Sequence, residues 1–272
     1  MRQRLDGMFS DISDYANAYT RYKARGVDRE LDPTDREYRD QDTWMHQHYF
    51  RVGEDALRLI VAALISVGRP FPRRILDFPS GSGRVTRHLR AFFPDAEIWA
   101  SDIQHDCLAF CSRRFGAQTK MSRNDFTHLD FGGEFDLVFC GSLLTHLTEA
   151  DAKAALALIA RTLSPTGIAL VTFHGRHSSH VQRHLWKYVD DDSFHIAESQ
   201  AMTAGFGFVE YRGAELERLG ITAPYGVSLI KPWWAVAQLE ADPAIRLLGY
   251  SERAWDDHQD VVIFGRPGID AV

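Results

Sequence analysis

The spacing of apolar and polar positions changes character along the 272 residues. In the first fifty, polar residues dominate, and Tyr15, Tyr19 and Tyr22 recur at helical spacing, which predicts a helix whose aromatic stripe packs on something. Residues 53–67 carry a second helical pattern that Pro70 and Pro72 bring to an end. From Arg74 short apolar runs take over. Strands are expected at 74–78, 96–101, 117–121, 135–140 and 168–173, separated by helix-forming stretches that run to Phe93, over 105–115 and over 149–163. Thr148 caps the last of these, with Asp151 completing a box-like start. Strands alternating with helices imply right-handed crossovers and a parallel sheet covered on both faces, so the fold expected is a doubly wound α/β domain.

After Phe173 the alternation stops. Residues 174–230 hold many histidines, several glycines and no crossover helix of ordinary length, with two short strands expected at 205–211 and 225–230. Long irregular insertions in compact domains usually cover a site, so 174–230 is expected to be a lid or substrate insertion. A helix at 232–240 and strands at 244–250 and 261–265 resume the pattern. The organisation expected is a helical extension over 1–52 and one α/β domain over 53–272 that contains the insertion.

Composition narrows the function without naming it. Hydrophobic residues make up 45% and charged residues 25%, as in an ordinary globular chain. The 31 basic and 37 acidic residues leave a net charge of -6, so no global footprint for nucleic acid exists. Three cysteines are too few for a secreted disulfide framework, and Cys107 and Cys111 are spaced to share a helix face. The N-terminus lacks an apolar leader, and the longest apolar stretch, 57–67, is broken by Arg58 and too short to span a bilayer. A cytoplasmic chain with no membrane span is expected.

In open α/β sheets ligands sit beyond the carboxyl ends of the strands, so the loop after the first strand comes first. Asp77 is followed by Gly81 and Gly83, which let backbone approach a ligand closely. A nicotinamide fingerprint requires a small residue where Thr86 stands, and the phosphate-cradling loop requires Lys where Arg84 stands. A carboxylate at the strand end would repel a pyrophosphate and suit a cationic amino-acid ligand.

These residues resemble the first motif of the class I S-adenosylmethionine-dependent methyltransferases: an acidic residue, an apolar residue, then three glycines at alternate positions. Asp77-Phe78-Pro79-Ser80-Gly81-Ser82-Gly83 follows that pattern with Pro79 in place of the first glycine, which removes one amide donor. The resemblance implies S-adenosylmethionine as cofactor and a seven-stranded Rossmann-like sheet whose last strand, within 258–265, is antiparallel. It implies that Asp102, at the end of the second strand and beside Ile103, holds the ribose hydroxyls. Asn124, Asp125 and Phe126 stand where the family contacts adenine. Cys140, at the end of the fourth strand, falls among the cofactor positions, although a buried cysteine there also fits a small core residue. Each landmark has a plain alternative: Asp102 could cap the following helix, and Asp125 could form a turn.

For the acceptor, methyl transfer is a direct displacement that needs alignment and, for a hydroxyl, a base. His174, His146 and His258 fall on the expected ligand edge and are the candidate catalytic residues, with His174 preferred for its place at the end of the fifth strand. His177, His180 and His184 could share one helical face; no carboxylate or cysteine pattern accompanies them, so a solvated or lid-contacting face is favoured over a metal site. Gly141-Ser142-Leu143-Leu144 replaces the Asn/Asp-Pro-Pro-aromatic motif of base-modifying enzymes of this fold. A looser similarity of 255–262, 174–176 and 225–228 to bacterial glycan-associated methyltransferases suggests a small-molecule or saccharide hydroxyl, with Trp233, Trp234 and Trp255 either stacking on sugar faces or filling core. The main expectation is therefore an O-methyltransferase. Two alternatives stand beside it: a cofactor-binding module that performs no transfer, and a nicotinamide-dependent reductase, which Asp77 and Thr86 disfavour.

Overall fold

The structure is a computed structural model that describes residues 2–38, 43–185, 187–211 and 224–266, with backbone alone for 2–11. Its elements are α1 (Arg2–Arg25), α2 (Thr43–Ser66), β1 (Arg74–Asp77), α3 (Thr86–Phe92), β2 (Glu97–Asp102), α4 (His105–Phe115), β3 (Gln118–Met121), β4 (Phe135–Cys140), α5 (Glu149–Thr162) and β5 (Leu163–Phe173). There follow α6 (Arg176–His184), α7 (Asp191–Ala204), β6 (Phe206–Glu210), β7 (Gly226–Ile230), α8 (Pro232–Glu240), β8 (Arg246–Trp255) and β9 (Gln259–Gly265).

Seven strands form one sheet in the order β3-β2-β1-β4-β5-β9-β8, the doubly wound arrangement expected. β1 to β5 are parallel, and β9 runs antiparallel between β5 and β8. Both faces are covered, so the central strands are apolar on both sides. Ile75, Leu137, Phe139, Ile168 and Leu170 join the core under α1 to α4, and Leu76, Val138, Cys140, Ala169 and Val171 join the core under α5 and α8. Thr148 caps α5 by accepting from the Asp151 amide at 3.2 Å.

Three expectations change. The 52/53 boundary falls inside α2, which runs unbroken from Thr43; Gly53 sits where a Cβ would stand 2.2 Å from the Arg84 carbonyl, so this turn of helix is pressed against the loop after β1. Within 174–230 there are two helices, α6 and α7, rather than irregular chain. Asp190 caps α7 from the Ser193 amide and Gly205 ends it at φ +81°. The pattern hides α7 because its apolar contacts, Phe194, Ala197 and Ala201, form a small separate cluster with the antiparallel β6–β7 sheet. Of the three tyrosines, Tyr15 and Tyr22 are buried, and Tyr19 points out, 54% exposed. Among the described residues no helix is long and apolar enough to cross a membrane.

Candidate functional site

β1 delivers Asp77 to the edge of the sheet, and the chain then turns sharply back into α3. The Phe78–Pro79 peptide is cis. Ser80 donates its amide to the Ser101 carbonyl at 2.9 Å, and Gly81 donates to Asp102 Oδ2 at 2.9 Å, so the loop is tied to β2. Gly81 and Gly83 take φ of +50° and +81°, a region that L side chains enter at a cost. The two glycines differ in surroundings. A Cβ on Gly83 would meet the Phe115 ring at 2.4 Å, whereas one on Gly81 would meet nothing within 4 Å. Gly81 therefore presents bare backbone to an open space.

That space is a cleft of about 470 Å³ along the carboxyl ends of β1, β2 and β4. Asp77 and Asp102 line it from adjacent strand tips. Asp77 is buried, and burial pushes its carboxyl up to about 7, against hydrogen bonds from Thr86 that pull it down. Thr86 Oγ1 donates to Asp77 Oδ2 at 2.6 Å. Asp102 is also raised by burial, opposed by amides that include those of Gln104 and Gly81. Pro79, Gly81, Ile103, Asn124 and Phe126 line the cleft as well.

Three other expected cofactor positions lie elsewhere or touch nothing new. Gly83 is packed against Phe115 behind the loop. Asp125 does not line the cleft; its exposed carboxylate accepts from the Thr127 amide at 2.9 Å and bonds His128 Nδ1 at 2.6 Å, which closes a turn. Cys140 is fully buried beside Val138 and Val171, and its neighbours Phe139 and Gly141 line the cleft instead. Strand alternation sends residue 140 to the opposite face, and burial pushes its thiol well up, so it is a core residue.

One wall comes from a segment in which sequence patterning showed no chemistry. Residues 28–38 cross in front of α3, where buried Arg87 donates to the Asp28 carbonyl at 2.9 Å, the Glu30 carbonyl at 3.0 Å and the Gly83 carbonyl at 3.1 Å. Asp32 accepts from the Ser82 hydroxyl at 2.9 Å, and Asp35 accepts from the Tyr49 hydroxyl at 2.6 Å. Asp35, Arg36 and Glu37 thereby line the cleft. The run of aspartates was visible in the sequence and each closes a local turn, but the further bonds of Asp32 to Ser82 and Asp35 to Tyr49 have no local signal.

The three candidate histidines lie together with unequal access. His146 lines the cleft, stacked on Tyr225 at 4.6 Å. Its Nδ1 lies 2.8 Å from the Gly226 carbonyl. A carbonyl only accepts, so Nδ1 carries the proton and Nε2 keeps its lone pair. Burial holds this imidazole below the ordinary histidine value. β7 fixes it further, since the Gly226 amide donates to the His146 carbonyl at 3.1 Å. His174 and His258 do not line the cleft. His174 is 4% exposed and lies beneath Tyr188 with ring centres 5.0 Å apart. His258 Nε2 bonds the Tyr188 hydroxyl at 2.6 Å, and burial pushes its pKa down to about 4. Tyr188 itself lines the cleft and separates both rings from it.

His177, His180 and His184 do share one face of α6, with successive ring centres 5.8 and 4.6 Å apart. Among the described residues no group of histidine, cysteine and carboxylate side chains has an arrangement that could hold a metal ion. Trp234 is buried and donates to Glu149 at 3.0 Å; Trp233 is 55% exposed; Trp255 is buried against Phe139 yet forms part of the cleft wall.

Comparison with known proteins agrees with this geometry. The family described as a methyltransferase domain matches residues 75–167, from β1 into β5. An uncharacterized protein of Synechococcus sp. is 37% identical over 108 residues, which is 38% of this chain and 25% of that protein, so the match spans about a quarter of the relative's length. The PH0226 protein of Pyrococcus horikoshii superposes with a TM-score of 0.55 at 13% identity, covering 87% of this chain and 96% of its own. An S-adenosylmethionine-dependent methyltransferase of Clostridium acetobutylicum superposes with a TM-score of 0.52 at 14% identity, covering 94% and 98%. At such identities the two structures speak for the fold. The strand order, the loop after β1 and the match over 75–167 agree: that part of the chain matches a methyltransferase domain, and the sheet around it has the fold of such proteins.

Proposed function

We propose that the chain transfers the methyl group of S-adenosylmethionine to a hydroxyl of a small molecule or saccharide. The observation that carries the donor half is the pair of buried carboxylates, Asp77 and Asp102, at adjacent strand tips beside the open backbone of Gly81. A cationic donor suits two buried carboxylates. Asp102 would accept the ribose hydroxyls with the lone pairs that the Gly81 and Gln104 amides leave over. Ile103 and Phe126 would flank adenine, and the Pro79–Gly81 backbone would lie along the chain of the ligand. The donor supplies an electrophilic methyl on a sulfonium; the protein has to align it and exclude water.

For the acceptor, the reading rests on His146. With Nδ1 engaged by the Gly226 carbonyl, Nε2 would take the hydroxyl proton as the new O–C bond forms and the S–C bond breaks with its electron pair going to sulfur. Tyr188, Tyr211, Tyr225 and Trp255 surround this end of the cleft with rings that offer apolar faces and hydroxyl partners, a surface suited to a sugar or another polyhydroxylated molecule. His174 and His258 would act through Tyr188, as positioning residues.

A second reading, a binding module without transfer, draws on Pro79, which lacks the amide that a glycine would supply. Binding tests the donor site that both readings share, and transfer separates them. Calorimetry should show S-adenosylhomocysteine binding that Asp102→Ala abolishes. Labelled methyl should pass from S-adenosylmethionine into a small-molecule or glycan pool with the parent chain, and much more slowly with His146→Gln. Binding without any transfer would favour the module.

A further inference from the structure

Ser142 lines the cleft with a backbone that disfavours its own side chain. Its φ is +57°, in the left-handed region where residues other than glycine are uncommon. Among the described residues the other such non-glycine positions are Arg253, Asp256 and Asp257, where β8 turns into β9. Three buried side chains hold Ser142 in place. Its amide donates to Thr172 Oγ1 at 2.8 Å, its carbonyl accepts from Thr145 Oγ1 at 2.7 Å, and its Oγ accepts from Gln259 Nε2 at 2.6 Å. Strain so fully determined by its surroundings points to a use.

The ring of hydrogen bonds fixes the direction of each proton in it. The Ser142 amide can only donate, so Thr172 Oγ1 accepts there, and the Thr172 proton goes to Gln259 Oε1 at 2.6 Å. That leaves the Gln259 amide nitrogen to donate to Ser142 Oγ. The reverse amide orientation would leave the Thr172 proton without an acceptor in a fully buried residue, a costly arrangement. The Ser142 proton therefore lies outside the ring, and among the described residues no group accepts it. Ser142 is half-buried and lines the cleft, so this donor is left for a ligand.

Its neighbour indicates what the donor meets. The His146 amide donates to the Leu143 carbonyl at 3.1 Å, so Ser142 and His146 belong to one fixed turn, and both line the cleft. His146 would take a proton from the acceptor, and Ser142 would give a hydrogen bond to it. A bond to the reacting oxygen would draw on the lone pair that attacks the methyl, so the useful partner is another oxygen. We propose that Ser142 Oγ donates to an oxygen next to the hydroxyl being methylated, which selects acceptors with neighbouring oxygens, such as vicinal diols, over isolated alcohols. The assignment rests on the transfer reading above and makes Ser142 a specificity-determining residue outside the proton transfer itself.

Labelled methyl transfer from S-adenosylmethionine into the small-molecule and glycan pool, followed over a dilution series of that pool, tests this. Ser142→Gly removes the hydroxyl and suits the left-handed backbone, so it should fold. Its half-saturating pool concentration should rise about fivefold to tenfold, the loss of one hydrogen bond, with kcat changed much less and S-adenosylhomocysteine binding as in the parent chain. Gln259→Glu keeps the shape but puts a carboxylate oxygen where the amide donated, so the Ser142 proton turns to it. The same rise should then appear with the hydroxyl still present. Nuclear magnetic resonance should place the transferred methyl on an oxygen whose carbon adjoins another oxygen-bearing carbon. Parent-like half-saturation in either variant, or a product methylated at an isolated hydroxyl, overturns the assignment. So does a Ser142→Gly chain that unfolds at much lower urea, which makes the role structural. If the parent chain binds S-adenosylhomocysteine and transfers nothing, the transfer reading fails instead.

Discussion

Asp102 accepts the amide of Gly81 across 2.9 Å, so the tip of β2 and the loop after β1 form one rigid unit. The bond orients the carboxylate into the cleft and holds the loop open at once. Asp102→Asn keeps the shape but turns part of an acceptor into a donor. S-adenosylhomocysteine affinity should fall by about tenfold or more, the loss of at least one charge-assisted bond, with the melting temperature little changed. Calorimetry beside thermal denaturation checks both halves.

The two glycines of the loop should respond differently to alanine. At Gly83 the left-handed backbone and the Phe115 ring at 2.4 Å act together, and Gly83→Ala should cost about 3 kcal/mol. At Gly81 only the backbone opposes the change, so about 1 kcal/mol is expected. Ligand affinity should reverse the order of concern, because the new methyl at Gly81 enters the cleft. Urea unfolding and calorimetry on both variants make the comparison.

His146 sets an expected pH profile. A base works when deprotonated, and burial lowers its pKa from the ordinary 6.5. At saturating donor, kcat should therefore be flat above neutral pH and decline only below about 6.5, farther down than a solvated histidine would allow. His146→Gln should remove that limb and lower kcat by about a hundredfold or more. A limb at or above the ordinary value would point to another base.

Asp77 gives the opposite titration. With its carboxyl raised to about 7, protonation competes with a cationic ligand at physiological pH. A bound sulfonium favours the ionised form, so binding releases a proton and strengthens as pH rises through 7. S-adenosylmethionine should gain on neutral S-adenosylhomocysteine between pH 6 and 8, about tenfold for each unit by which the sulfonium lowers Asp77. Asp77→Asn should flatten the ratio.

Arg87 ties the 28–38 segment to the glycine loop through three carbonyls. Arg87→Met keeps much of the volume and leaves those acceptors unpaired. We expect about 3 kcal/mol of destabilisation by urea unfolding and weaker S-adenosylhomocysteine binding, since Asp32 and Glu37 lose their support.

Much of the site was legible before folding is considered, and for one reason. Asp77 and Asp102 end their strands and Gly81 follows closely, and such ends are marked locally by short apolar runs that stop at small or charged residues. Cys140 and Asp125 show where that logic stops. Position 140 is one residue from the cleft in sequence, yet the pleat turns it to the far face; position 125 is drawn into its own turn by Thr127 and His128. The preference among histidines changed for a related reason. His174 does end its strand, but Tyr188, from a different part of the chain, lies over it and leaves His146 at the surface of the cleft.

Sequence alone determined the strand succession, the loop after β1 and the carboxylates that flank it, because these depend on neighbours within a few residues. Tertiary structure decided the rest: the packing of α7 on the β6–β7 sheet, the crossing segment at 28–38, the choice of His146 and the setting of Arg84 between Tyr49 and Trp255. Each of these depends on burial and on hydrogen bonds between residues tens to hundreds of positions apart, and no local pattern encodes which distant partner a side chain will meet.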